Sequence, residues 1–202
     1  MKMLSVLLYL CSASIAVSAV VIQEVYYDQP GADGDAVFTE LRGTPGLSLD
    51  GWSLVGINQD GATYRSVHLM GGVIPLDGMF VISTANAEPS LSIVSDLIGN
   101  IDWQNGPGDT IELRDESNVL IDALRYGELG VDGYGEGSPA IGAAEGFSLS
   151  RDEMGTDTND NALDFRAVLP TPGQGPDPVP EPMFAALGLV GLMCLMRRRR
   201  CG

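Results

Sequence analysis

The chain reads as an all-β protein, an antiparallel sandwich of short strands. Three observations predict it. Runs of six to nine residues are rich in Val, Ile, Leu, Phe and Tyr, Gly, Asp, Asn and Pro separate them, and no long helical period interrupts the middle of the chain. Many short strands with turn signals between them are the pattern of two packed sheets.

Taken in order, the runs are VVIQEVYY, DAVFTELR, GWSLVGI, the alternating YRSVHLM, MFVIST, DTIELRD and NVLIDALRY. In DTIELRD, Ile111 and Leu113 share one face, and Thr110, Glu112 and Arg114 share the other, as a strand with one wet face requires. LSIVSDLIG is the best candidate for a short helical turn or a weak strand. The apolar positions of these runs, with Trp52 and Phe165, predict a core of Val25, Phe38, Leu41, Trp52, Leu54, Phe80, Ile82, Ile111, Leu113 and Phe165. From Leu169 the texture changes, because PTPGQGPDPVPEP is too proline-rich to lie in a sheet and predicts an extended, solvated linker.

Both ends differ from this middle. MKMLSVLLYLCSASIAVSA has one Lys, an apolar run, and Val17 and Ala19 at the −3 and −1 positions of a cleavage site, the three-part pattern of a secretory signal peptide. A lipoprotein reading of Cys11 is disfavoured by the bulky Tyr9 and Leu10 before it. The domain boundaries expected are therefore 1–19 for the signal peptide, 20–173 for the sandwich, 174–182 for the linker, 183–196 for an apolar helix and 197–202 for a basic tail.

Charge and cysteine usage narrow the function. All acidic residues except Glu181 lie between Val20 and Val179, where the only basic residues are Arg42, Arg65, Arg114, Arg125, Arg151 and Arg166. About 20 excess negative charges on one domain repel phosphate backbones and anionic lipid, so no nucleic-acid partner is expected. Such a surface serves solubility or attracts divalent cations. Cys11, Cys194 and Cys201 all fall outside the domain, which excludes an internal disulfide or a thiolate zinc site. His68 is the single histidine, read as a half-exposed strand residue; a Ser-His triad has no GxSxG elbow, and no second His exists for a metal site. The expectation is a non-enzymatic protein, with a carboxylate-dependent hydrolase as the remaining catalytic alternative.

The richest constellation is DTNDNALDF. Asp157, Asn159 and Asn161 stand at alternate positions, with Asp160 between and Asp164 beyond, a spacing of oxygen donors that suits a hard cation such as Ca2+. It is no EF-hand: Ala162 stands where that loop needs Gly. The same residue types close turns through side-chain to backbone hydrogen bonds, and that is the competing explanation. DQPGADGD, with Asp28, Asp33 and Asp35, is a second acidic loop.

Two resemblances follow from these residues. VIQEVYYDQPGADGDAVFTEL, LSLDGWSL, GDTIELRDESNVLIDALRYG and the closing SLSRDEMGTDTNDNALDFRAVLPTPG together resemble the lamin-tail domain. That implies an immunoglobulin-like β-sandwich with a binding or scaffolding role, and it brings no catalytic residues. One departure is that Glu40-Leu41 is followed by Arg42-Gly43 where the family usually has a Tyr-Asn-like pair. The tail resembles the PEP C-terminal sorting signal: Val179, Pro180, Glu181 and Pro182, then an apolar segment, then Arg197 to Arg200. This resemblance implies processing by an exosortase-type membrane peptidase and a bacterium that makes extracellular polysaccharide. Residues 183–196 would span about 21 Å as a helix, against about 30 Å of hydrocarbon, so a transient stop fits better than a lasting anchor. The function expected is an exported module acting in adhesion or scaffolding at the cell surface or in the matrix; a calcium- or glycan-binding surface module is the alternative.

Overall fold

The computed structural model describes residues 20–106, 108–128, 130 and 132–174. The signal segment 1–19, the sorting motif Val179–Pro182, the helix expected at 183–196 and the basic tail lie outside the described residues. Among the described residues, no helix is long and apolar enough to cross a membrane.

The strands follow the patterned runs closely. They are β1 (Val20–Tyr26), β2 (Phe38–Gly43), β3 (Ser53–Ile57), β4 (Thr63–His68), β5 (Met79–Ser83), β6 (Leu97–Ile98), β7 (Asp109–Arg114), β8 (Leu120–Tyr126), β9 (Ser148–Ser150) and β10 (Arg166–Val168). Two short helices, α1 (Pro89–Val94) and α2 (Asn161–Asp164), complete the set. LSIVSDLIG resolves into both of its options, since its first half lies in α1 and Leu97–Ile98 forms β6.

One sheet has the order β10-β9-β1-β2-β5-β6 and the other β4-β3-β7-β8. Every strand pairing is antiparallel except β5 with β6, which is parallel because α1 carries the chain back along the edge of the sheet. Ile22, Val25, Leu41, Phe80 and Ile82 of the first sheet meet Leu54, Ile111, Leu113 and Leu124 of the second in one buried cluster, which also contains Trp52, Trp103 and Phe165. The protein is thus an all-β sandwich of two sheets.

All ten residues of the expected core are buried. Phe38 differs in its place: it packs with Tyr26, Val81 and Leu91 on the outer side of the larger sheet, beneath α1. The wet face expected for β7 is also different, because Thr110 and Glu112 are buried and Glu112 pairs with Arg114 at 2.6 Å. The ion pair with Arg114, two residues on, satisfies the Glu112 carboxylate locally. His68, at the end of β4, is exposed rather than half-exposed.

Trp52 is 8 % exposed, just before β3 and within the main cluster. Replacing it with Ala should cost about 3 kcal/mol, the lower end for a buried aromatic because its rim touches solvent. Urea denaturation checks this: a midpoint like the parent's would show that Trp52 contributes little packing.

Candidate functional site

The most elaborate polar arrangement forms where the closing segment crosses the end of the sandwich. Gln23 is an extra residue in β1, which breaks register with β2 between Ile22 and Glu24. The bulge frees two β1 groups for other partners. The Gln23 carbonyl accepts from the Arg151 amide at 2.9 Å, and the Ile22 amide donates to Asp122 Oδ2 at 2.5 Å. Asp122 belongs to β8, so this bond ties one sheet to the other.

Arg151 follows β9 directly and is completely buried. Its guanidinium uses each nitrogen. Nε donates to the Ile22 carbonyl (3.1 Å), Nη1 to the Thr156 carbonyl (2.9 Å) and Asp164 Oδ2 (2.8 Å), and Nη2 to Asp122 Oδ1 (2.8 Å). The cation lies 4.5 Å from the centre of the Phe165 ring. Two further carboxylates stand close, Glu136 Oε2 at 3.7 Å and Asp157 Oδ1 at 3.6 Å. One buried cation therefore faces four carboxyl groups. Burial pushes the Asp122 carboxyl up to about 6 despite the attraction of Arg151. Burial, then the negative charges of Asp122 and Asp157, pushes Glu136 up to about 8. Glu136 Oε2 has no hydrogen-bond partner.

The five residues of the DTNDNALDF constellation take separate duties. Asp157 accepts from the Asn159 amide at 3.0 Å, and Asn159 adopts a left-handed φ of 58° that Asn tolerates well. Asp160 caps α2, accepting from the Ala162 amide at 3.1 Å. Asn161 is buried and joins three segments: its Oδ1 accepts from the Arg125 and Glu136 amides, and its Nδ2 donates to the Ala123 carbonyl. Asp164 holds Arg151 and also accepts from the Thr158 amide and hydroxyl. Among the described residues, the carboxylates that converge closely enough to share an ion are Asp122, Glu136 and Asp157, within 4.8 Å of one another. Only Asp157 of these belongs to the constellation. Asp122 and Glu136 were not singled out by spacing. A signal did exist for Asp122, because in NVLIDALRY it stands on the same parity as Leu124 and Tyr126, a charge on an apolar face.

The DQPGADGD loop is organised around a buried amide. Gln29 Oε1 accepts from the Gly34 and Ala36 amides, and its Nε2 donates to the Ala32 carbonyl and Asp35. Asn105 Nδ2 bridges Asp28 and Asp33 at 3.1 and 3.0 Å. Beside this loop an open cleft of about 430 Å³, lined in part by Asp33, Asn86, Asn100 and Asp102, shares no residue with the Arg151 cluster.

Compared with known proteins, the chain matches no protein-family model and no curated protein.

Proposed function

We propose that this is an exported, non-enzymatic module of the lamin-tail type, immunoglobulin-like in architecture, that acts in adhesion or scaffolding at a bacterial cell surface or in its matrix. The observation that carries this reading is the sealed state of Arg151. In the closing segment SLSRDEMGTDTNDNALDF, Arg151 ties the Ile22 carbonyl of β1, Asp122 of β8 and Asp164 together. A cation without exposed surface, held on all sides, serves rigidity and leaves no access for a substrate. What remains for recognition is the acidic loop surface.

On this reading the N-terminal segment exports the chain. The Pro-Glu-Pro region is then presented outside the membrane to an exosortase-type peptidase. The mass of the protein recovered from the producing cells tests this. The mature form should lack residues 1–19 and everything after Pro182, and Glu181→Ala with Pro182→Ala should leave an uncleaved form in the membrane fraction. A full-length Arg197–Arg200 tail on the mature wild-type protein would overturn the processing reading.

A second reading, calcium binding, is favoured by the convergence of Asp122, Glu136 and Asp157 and the unpartnered Glu136 Oε2. Arg151 opposes it, since its charge already answers part of theirs. If calcium binds there, millimolar CaCl2 should raise the melting temperature, and Glu136→Gln should remove the rise. An unchanged melting temperature in the parent leaves the cluster as a structural brace.

A further inference from the structure

The outer face of the larger sheet carries two buried glutamates that the Arg151 cluster does not involve. Glu24 of β1 and Glu40 of β2 are direct cross-strand partners, and neither has any exposed surface. The segment after β10 lies over them. The Thr171 amide and hydroxyl donate to Glu24 Oε1 and Oε2 at 3.0 and 2.7 Å, and the Gly173 amide donates to Glu40 Oε2 at 2.6 Å. Ser148 of β9 donates to Glu24 as well. Glu40 Oε1 is buried and has no partner. Gly173 itself has a φ of +75°, and a Cβ there would come within 3.3 Å of Val94 on α1, so the segment is seated closely.

The charged groups around this pair are few. Among the described residues, Arg42 of β2 is the one cation that acts on Glu40, and Asp77, ahead of β5, opposes it. Asp96 lies beyond α1 and accepts from the Val81 amide, next to Glu40 on β5. Arg166 of β10 is exposed and acts on Asp152. β9 and α1 contribute no charged side chain. Two buried carboxylates on paired strands, with no buried cation beside them among the described residues, cannot both ionise without strong cost.

We propose that Glu24 and Glu40 form a proton-operated latch for the segment Leu169–Gly173, closed while Glu40 carries a proton and released when both carboxylates are ionised. Burial first, and Glu24 and Asp77 after it, pushes Glu40 up to about 8. Lifting the segment takes away the Gly173 donor, which favours the charged form, but it also lets water reach Glu40, and burial is the larger influence on that carboxyl, so deprotonation and release favour each other. The latch sits immediately before the linker. It therefore decides whether Leu169–Gly173 stays on the sandwich.

The test is amide exchange by NMR on the full chain from pH 4 to 10, corrected for the intrinsic rate of each amide. Protection at Thr171 and Gly173 should fall roughly tenfold per pH unit once an exposed glutamate would ionise, as one released proton requires, and level off where closed Glu40 itself ionises, while Thr39 and Leu41 stay protected. The Glu40 carboxyl carbon should titrate at the pH where the fall levels off. In Glu40→Gln, whose amide oxygen still accepts from Gly173, the protection should no longer depend on pH. A parent whose Thr171 and Gly173 protection is flat over this range overturns the proposal. So does a carboxyl titration that does not coincide with the levelling-off, and this arm needs no variant to fold.

Discussion

Replacing Arg151 with Met is expected to cost on the order of 3–5 kcal/mol at neutral pH, more than any surface ion pair in the molecule. Met roughly fills the volume, so the loss comes from charge. Asp122, whose side chain has no exposure, and Asp164, with 1 %, would lose the cation that compensates them. The carbonyls of Ile22 and Thr156 would lose a donor at the same time. Two consequences separate this from simple loss of packing. Acid should shrink the deficit, since protonation neutralises Asp122, already raised to about 6. The double variant Asp122→Asn with Arg151→Met should recover part of it, because removing both charges is less costly than orphaning one. Urea denaturation at pH 5 and pH 7.5 measures all three. A loss near 1 kcal/mol or less, equal at both pH values, would mean that Arg151 is not what joins the sheets.

The strands were legible in the sequence because alternation and turn residues carry them locally. VVIQEVYY, DAVFTELR, MFVIST and DTIELRD each became a strand, and the ten expected core residues are buried. What alternation could not tell is what lies over the second face. Glu24, Glu40, Thr110 and Glu112 occupy polar positions in strands and would suit solvent equally well, yet all four are buried, Glu24 and Glu40 beneath the closing segment. Burial of that kind depends on contacts more than a hundred residues apart, to which a period of two is blind. Arg151 was hidden for a related reason: charged residues are so seldom fully buried that a lone Arg after SLS reads as surface. Trp103 gave no signal at all. It lies outside every strand, but it is almost fully buried and donates to Thr39 Oγ1 at 2.8 Å. The DTNDNALDF constellation was visible as a cluster of oxygen donors, but its division into cap, turn and brace follows from the chain's three-dimensional path.

The stability of this protein should fall as pH rises from about 5 to about 9. Most domains are most stable between roughly pH 5 and 8, so the slope within that window is the distinguishing feature. Its cause is the near absence of buried cations among buried acids. Burial raises Glu40 from 4.5 to about 8, Glu136 from 4.5 to about 8 and Asp122 from 3.8 to about 6, and it raises Glu24 and Asp109 as well. A carboxyl whose folded value is raised binds its proton more tightly in the native state. Its contribution is complete below the unfolded value, near 4, and it is lost as pH climbs through the folded value. Asp122 should therefore weaken the fold first, by about pH 6, and Glu40 and Glu136 up to about pH 8. Each unit of difference is worth about 1.4 kcal/mol, and Asp122 and Glu136 face each other, so their contributions overlap and do not simply add. Asp152 works the other way, since bonds from Thr156 and Met154 hold its carboxyl below the usual value, and its contribution disappears as pH falls through that lower value. The optimum should then lie on the acid side, near pH 4.5–5. Salt should not flatten the slope, because the groups responsible are buried and poorly screened. Melting temperatures from pH 4 to 9 at constant ionic strength give the result directly, and Glu40→Gln should remove Glu40's share of the fall that extends to pH 8 and leave that of Glu136. A melting temperature that rises or stays level between pH 5 and 8 would mean that these acids are ionised in the native state at little cost, and the buried-carboxyl account of this fold would have to be abandoned.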